Sequence, residues 1–314
     1  MDYRCNLIVD SCCDLPYDML DIPGVSLIRF PFVMDGQEHV DDMFRSMPPK
    51  RFYDAMRDKR RGYPTTAQLP ATALIEEFSR ACQSGVPTVY LSFDSALSGS
   101  FDTAVLVRDE VLREFPDAEL YVVDTKLASI AEGLVVLGAI EQREKGLTAK
   151  QMVAWAEEAR YYVGSEFMVE DFESLRRGGR IPAGVALAGA KLDVKPLLSF
   201  DLSGKLTLVG MARGRKKGLR ALAEHYAKRV YEDQPMKTVI LANADCPKDM
   251  QRLRDEVLKA DPDVVFTESS IGPVIGSHVG PGMVAIVYWT TDRRKEKLSV
   301  ADRIAKRVKD KEQG

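Results

Sequence analysis

The amino-acid sequence predicts an α/β protein in two domains, the first built on a parallel sheet with flanking helices and the second on a mixed sheet. Three observations carry that expectation. At 314 residues, the chain exceeds the range of about 250–300 residues in which a single apolar core stops growing. Its first half repeats a unit of apolar strand, loop and amphipathic helix, the pattern of parallel strands joined by crossovers. Its second half adds a hairpin to further strand and helix segments. The boundary is expected near Val163, giving domains of residues 1–163 and 164–314, the second ending in a charged surface helix from about residue 292.

The elements follow in order. CNLIVD is a first strand ending in Asp10; in SCCDLP after it, Asp14 can cap a helix and Pro16 can sit in its first turn. LIRFPFVMDGQEHVDD reads as a hairpin turning at Asp35-Gly36. Pro64 and Pro70 bracket Thr65, Thr66 and Gln68 in an ordered loop that opens a helix from Ala71 to Cys82. TVYLSF (88–93) is a second strand, and DSALSG leads into a helix with Phe101, Ala104, Val105, Val111, Leu112 and Phe115 mostly on one face. ELYVVD (119–124) feeds a helix from Ala128 to Lys145. Ligands of parallel sheets bind beyond the carboxyl ends of the strands. The loops after Asp10, Phe93 and Asp124 are therefore the candidates.

In the second half FMVEDF is a strand and ESLRRGGR a short helix ended by Gly178-Gly179. AGVALAGAKL is rich in small residues, and PLLSFD with KLTLVG forms a hairpin through Leu202-Ser203-Gly204. A helix from about Lys216 to Tyr231, the strand KTVILANAD, a helix to Ala260 and the strands DVVFTESS and MVAIVYWT complete the domain.

Composition narrows the function. A hydrophobic fraction of 45%, a charged fraction of 29% and a net charge of −3 give no strong attraction to nucleic acid or anionic membrane. The N-terminal MDYRCNLIVDS reads as a strand, not a signal peptide. The best apolar run, Leu134 to Ile140, is far too short for stable membrane insertion. The five cysteines form no CxxC pair and no disulfide framework, which suits a cytoplasmic location. The phosphate loop GxxxxGK[ST], a GxGxxG after the first strand, HExxH and GxSxG are all absent from the sequence.

Four segments could carry chemistry. Leu97-Ser98-Gly99-Ser100 lies where a strand ends and a helix begins, so free N–H groups and the helix dipole invite an anion. Its bland alternative is that Ser98 only caps the helix, and Thr66 has the same two readings. Arg176-Arg177-Gly178-Gly179-Arg180 is either a solvated helix end or an arginine fork facing a carboxylate or phosphate. His278, one of three histidines, sits in a glycine-rich segment expected to be a loop between two strands. Arg213-Gly214-Arg215-Lys216-Lys217 is a solvated charge run or a docking point for an acidic partner or a phosphate. Cys12-Cys13 precedes a helix start, where a thiolate gains stability, but no histidine is near it in sequence.

Taken in order, these segments resemble one family. IVDSCCDLP, FPFVMDGQEHVDD with RFYDAM, PTTAQLP, LSGSFDTA, VVDTKLASIAEGLVV, ESLRRGGRI, DVKPLLSFDLSGKL, ARGRKKGL and IGPVIGSHVGPG are similar in order and spacing to the DegV family, over residues 5–290. The resemblance implies a DegV-like fold that holds one long-chain fatty acid between two α/β domains, with no cofactor, no metal and no catalytic residue. It further implies that a separate ATP-binding subunit of a fatty-acid kinase phosphorylates the presented carboxylate. Carried over, Thr66 and Ser98 hold the carboxylate, and Arg180, Arg213 and His278 lie near the head group or face the partner. Two positions depart from the family pattern: Ala67 replaces a serine, and Ser100 a threonine. The competing readings are an enzyme acting on a small carboxylate or phosphorylated substrate through Ser98 or Cys12 with His278, and a lipid carrier serving a non-kinase partner.

Overall fold

The computed structural model describes residues 3–58, 60–182, 193–234 and 236–295. The small-residue segment at 183–192 and the expected tail helix beyond Lys295 lie outside them; Arg293–Lys295 form one 3-10 turn.

The first half builds the parallel sheet. Strand β1 (Asn6–Asp10) pairs in parallel with β2 (Val25–Ile28). The hairpin strands β3 (Pro31–Met34) and β4 (Gln37–Val40) turn at Asp35 and Gly36, both at positive φ (54° and 75°). Such a turn matches the twist of the strands it joins. Helix α1 (Pro49–Arg57) follows, then β5 (Thr65–Thr66), which pairs with β3 and completes a small three-stranded sheet. Helix α2 (Ala71–Gln83), β6 (Thr88–Ser92), α3 (Ser100–Glu114), β7 (Leu120–Asp124), α4 (Ile130–Glu144) and α5 (Ala149–Ala159) then alternate. The main sheet has the order β2-β1-β6-β7, all neighbours parallel.

The second half builds the mixed sheet. It comprises β8 (Val163–Met168), α6 (Glu173–Arg177), β9 (Val194–Phe200), β10 (Leu206–Arg213), α7 (Arg215–Arg229) and β11 (Thr238–Asn243). It then continues through α8 (Pro247–Ala260), β12 (Val265–Ser270), α9 (Pro273–Val279) and β13 (Val284–Trp289). The six strands lie in the order β10-β9-β8-β13-β11-β12, with β11 and β12 the parallel pair. Helices α7 and α8 cover one face through Leu219, Leu222, Tyr226, Leu253 and Val257.

The other face meets α4. Eleven of the fifteen residues of α4 are buried, Glu132 and Arg143 among them, and burial of its central run Leu134 to Ile140 is expected because that run is apolar all round. It packs on β8, β11 and β13 of the second sheet while belonging by connection to the first. The apolar run from Leu134 to Ile140 is therefore the helix between two sheets. Among the described residues no helix is long and apolar enough to cross a membrane.

Two local expectations change. Asp14 does not open a helix in the segment that follows it. Ser11–Cys13 make a single 3-10 turn capped by the Asp10 side chain, and Asp14 adopts a left-handed conformation at φ 51°. His278 lies in the last turn of α9, not in a loop; Pro273 opens this helix and Gly280, at φ 79°, ends it.

Position 138 tests the packing of α4. Replacing glycine by alanine inside a helix gains up to about 1 kcal/mol, but a β-carbon there would lie 2.6 Å from the Trp155 ring and 3.0 Å from that of Trp289. Overpacking of rigid rings costs about 1–3 kcal/mol, so Gly138→Ala is expected to lower the melting temperature; a rise would mean that the indoles move aside freely.

Candidate functional site

The loops after β1, β6 and β7 open toward the mixed sheet, and a cavity of about 210 Å³ lies between them. Its lining comes from both halves of the chain. Phe30, Phe93, Ile130 and Ala131 face Phe167, Phe200, Leu206, Val274 and Met283. These residues belong to one continuous apolar core or pack directly against it. The walls are apolar over most of their extent, and apart from Ser129 and Ser165 the polar side chains gather at one end.

That end is made of Thr66, Gln68, Ser98, Arg180 and His278. Thr66 is the last residue of β5, held in place by pairing with Phe32 of β3. Its Oγ1 lies 2.8 Å from His278 Nε2, so the two halves of the chain meet in one hydrogen bond. The other ring nitrogen, Nδ1, is buried without a partner among the described residues. Gly178 makes room for it, because a β-carbon at 178 would lie 2.1 Å from Nδ1. Burial, with the Arg180 cation as the lesser cause, pushes the imidazole down from 6.5 to about 4. At neutral pH His278 is therefore an uncharged ring.

Arg180 follows the Gly178-Gly179 turn, in which Gly179 stands at φ 71°. Its Nε donates to Leu97 O at 3.0 Å and its Nη1 to Gly178 O, so the guanidinium is anchored by carbonyls alone. Among the described residues no carboxylate pairs with it, whereas Arg215, also partly buried, binds both Glu170 and Asp249. A partly buried cation without an anion, at the mouth of an apolar cavity, is an incomplete ion pair.

Ser98 stands one residue before Gly99, the N-cap of α3. Its hydroxyl accepts from Ser100 N–H at 3.2 Å and lies 2.9 Å from Ser100 Oγ. Ser100 itself is fully buried, and its Oγ accepts from Leu69 N–H at 3.1 Å. Ser98 thus stays at the cavity while Ser100 ties the Thr66 loop to α3. Gln68 approaches so closely that its Oε1 would lie 2.7 Å from a β-carbon at Gly99. Gln68 was visible as a polar loop residue, but its place against Gly99 depends on α3 and was not legible.

Arg213 is not brought to this cluster. It ends β10 opposite Val194, is exposed, and does not line the cavity. Side chains alternate along a strand; Ala212 takes the buried face and Arg213 the solvent face. Cys12 lines the cavity, yet burial and the surrounding carboxylates push its thiol well above the ordinary range. His278 bonds Thr66 and Ser98 bonds Ser100, so the pairing that a nucleophilic serine needs is not formed. Among the described residues no group of three or more His, Cys, Asp or Glu is placed to hold a metal.

Comparison with known proteins agrees with this architecture. The model described as an uncharacterised protein of the DegV family matches residues 4–291. A DegV domain-containing protein of Clostridium perfringens is 31% identical over 282 residues, 90% of this chain and 96% of the relative. A DegV-family protein of Thermus thermophilus, described for its fatty-acid binding, superposes with a TM-score of 0.80 at 28% identity, covering 91% of this chain and 99% of its own. A Thermotoga maritima protein whose structure reveals a fatty-acid-binding function gives 0.78 at 27% identity, covering 92% and 100%.

The histidine supplies a direct check of the site's dryness. Because the folded state lowers its pKa, the stability tied to the neutral ring is present above 6.5 and is lost as the pH falls toward about 4. In ligand-free protein His278 is expected to titrate near 4 by ring-carbon NMR, and Arg180→Ala to raise that value. Titration of the wild-type ring at 6.5 would show that water reaches it.

Proposed function

The chain belongs to the DegV family, and from that premise we propose that it is a carrier, not a catalyst, that buries one long-chain fatty acid in this cavity. The carboxylate meets Thr66, Ser98, Arg180 and His278, and the acyl chain runs inward among the phenylalanines. The observation that carries this reading is Arg180, a partly buried guanidinium with no acidic partner among the described residues, set at the polar end of an apolar cavity. The fatty-acid binding described for the Thermus and Thermotoga proteins supports it.

The energetics are compatible with non-covalent holding. Each buried methylene is worth about 0.8 kcal/mol, and each hydrogen bond to a charged group about 1.5–3 kcal/mol. A neutral imidazole and hydroxyls can donate to a carboxylate without demanding a second charge, while Arg180 supplies the countercharge. The ligand lies between two domains, residues 1–163 and 164–314.

We further infer that the carboxylate is presented to a separate ATP-binding subunit of a fatty-acid kinase in the cytoplasm. Ala67, Gln68 and Gly99 at the mouth are exposed, so a partner can reach the head group there. Arg213, on the surface, is assigned to the partner-facing side, where a cation offsets the phosphates of ATP. A carrier serving a different partner shares the same cavity and differs only in who receives the lipid.

Protein denatured after purification and extracted with organic solvent should release about one equivalent of a long-chain fatty acid. Delipidated protein should gain thermal stability on adding one, by mass action. No lipid and no thermal shift would end the carrier reading.

The two serines separate binding from folding. Ser98→Ala should weaken fatty-acid binding by about 10-fold or more, the worth of a charged hydrogen bond, and lower stability by only about 1 kcal/mol, the worth of its bond from Ser100 N–H. Ser100→Ala should instead lower stability by about 1–3 kcal/mol, because it leaves the buried Leu69 N–H unpaired. Calorimetric titration and thermal unfolding of both variants read the difference, and the reverse pattern would remove Ser98 from the carboxylate site.

A further inference from the structure

Two carboxylates outside the head-group cluster meet the backbone where the second half of the chain enters the cavity wall. The link from β12 to α9 passes through Gly272. A β-carbon there would lie 2.6 Å from Asp14 Oδ1 and 3.0 Å from Asp41 Oδ2, so both oxygens crowd one point. Both side chains are buried. Asp14 accepts three hydrogen bonds from elsewhere in the fold. Its Oδ1 accepts from Gly272 N–H at 2.8 Å, its Oδ2 from the Ser129 hydroxyl, and its backbone carbonyl from the Ser269 hydroxyl. Asp41 Oδ1 accepts from Met43 N–H at 3.0 Å; among the described residues no hydrogen bond of good geometry reaches its Oδ2, and the Ser11 hydroxyl lies close enough to the carboxyl to lower its pKa.

These contacts join the starts of two helices that both wall the cavity. Ser129 immediately precedes α4, and Gly272 immediately precedes α9. Ser129, Ile130 and Ala131 line the cavity from one helix, and Val274, Ile275 and His278 from the other. Ser129 stands at φ 56° and ψ −146°, a conformation that only glycine adopts without strain, so surrounding bonds must hold it there. The Asp14 carboxylate is one such bond.

We propose that Asp14 is a positioning residue which shares a proton with Asp41 and thereby latches the opening ends of α4 and α9 together, setting how tightly the cavity grips its acyl chain. The proposal rests on the fatty-acid reading for its ligand, but its mechanism is a property of the empty protein. With one proton the pair carries a single charge. With none, two like charges face each other at Gly272.

The surroundings favour the protonated pair. Burial first, and then Asp41, pushes the Asp14 carboxyl well above its ordinary range; burial raises Asp41 to about 7, with Asp42 and Asp10 adding to it against the bond from Met43. The titratable groups facing the pair are Asp10 on β1, Cys12 and Cys13 in the turn, Asp42, Tyr53 on α1 and Glu132 on α4. No lysine or arginine is among the charges acting most strongly on either member. The folded state raises these carboxyls. The stability they contribute is therefore full below about pH 4, the ordinary carboxyl value, and is lost as the pH rises through the folded value, about 7 for Asp41.

The test compares wild type with Asp41→Asn, which keeps the side-chain shape and removes one charge. Palmitate affinity is measured from pH 6 to pH 9, and amide exchange of residues 274–279 is measured on the delipidated proteins over the same range. Wild type should lose about ten-fold or more affinity beyond any loss in Asp41→Asn, and its α9 amides should lose protection that the variant keeps. Identical pH profiles in the two proteins, in both measurements, would overturn the latch while leaving fatty-acid binding intact. If neither protein binds palmitate at any pH, the carrier reading fails, and the exchange comparison alone decides the latch. Should Asp41→Asn fail to fold, Asp14→Asn, which retains an acceptor for Gly272 N–H, replaces it with the same expected outcome.

Discussion

Helix α4 sets the terms for the rest of the molecule. Its central run, Leu134 to Ile140, is apolar on every face and requires cover on every face, and the turn after β1 together with α5 supplies only one side. The mixed sheet supplies the other through β8, β11 and β13. The two halves therefore merge into a shared core that runs from Val9 and Leu91 across Val135 to Phe167 and Val287. The cavity lies at the edge of this seam, where the carboxyl ends of the parallel strands stop and the hairpin β9–β10 and helix α9 begin. Any ligand there touches both halves, and any loosening of the seam reaches the ligand.

The polar end follows from the same geometry. Backbone N–H groups at helix starts and hydroxyls on short loops can be supplied by one half alone. Thr66 and His278, however, are 212 residues apart and meet only because β5 and α9 are both packed against the seam. That packing desolvates the imidazole, which favours its neutral form. Among the described residues Arg180 meets no carboxylate for a related reason: Leu97 O and Gly178 O take two of its N–H donors without neutralising it. The site is thus charged by one group and shaped by neutral ones.

Much of this was legible in the sequence, and what was not has physical causes. The strand–helix alternation, the Asp35-Gly36 turn and the hairpin closed by Gly204 rest on local periodicity and turn chemistry, which neighbours in sequence determine. Thr66, Ser98, Arg180 and His278 were recognisable as candidates from residue type beside glycine or a helix start. Their convergence was not, because it depends on tertiary packing. That Arg213 stands apart from the cluster has the same origin: a charge run shows basic character but not which face of a strand each residue takes, and Ala212 holds the inner one. His278 looked like a loop residue because its flanking glycines suggested flexibility. Pro273 and the packing of Val274 and Ile275 against the core nevertheless make a helix there. Asp14 offered a capping residue type, yet the turn at Ser11–Cys13 closes too soon for a helix to need it.

The contact between position 178 and the histidine ring reaches beyond this one chain. A β-carbon at 178 would occupy nearly the place of His278 Nδ1, so the glycine and the imidazole are a matched set although they lie in different helical turns of the same half. Under genetic drift neither can change first without cost: a side chain at 178 evicts the ring, while a smaller residue at 278 leaves a void beneath the glycine. Lineages that keep the histidine should therefore inherit the glycine with it, and those that abandon one should abandon both.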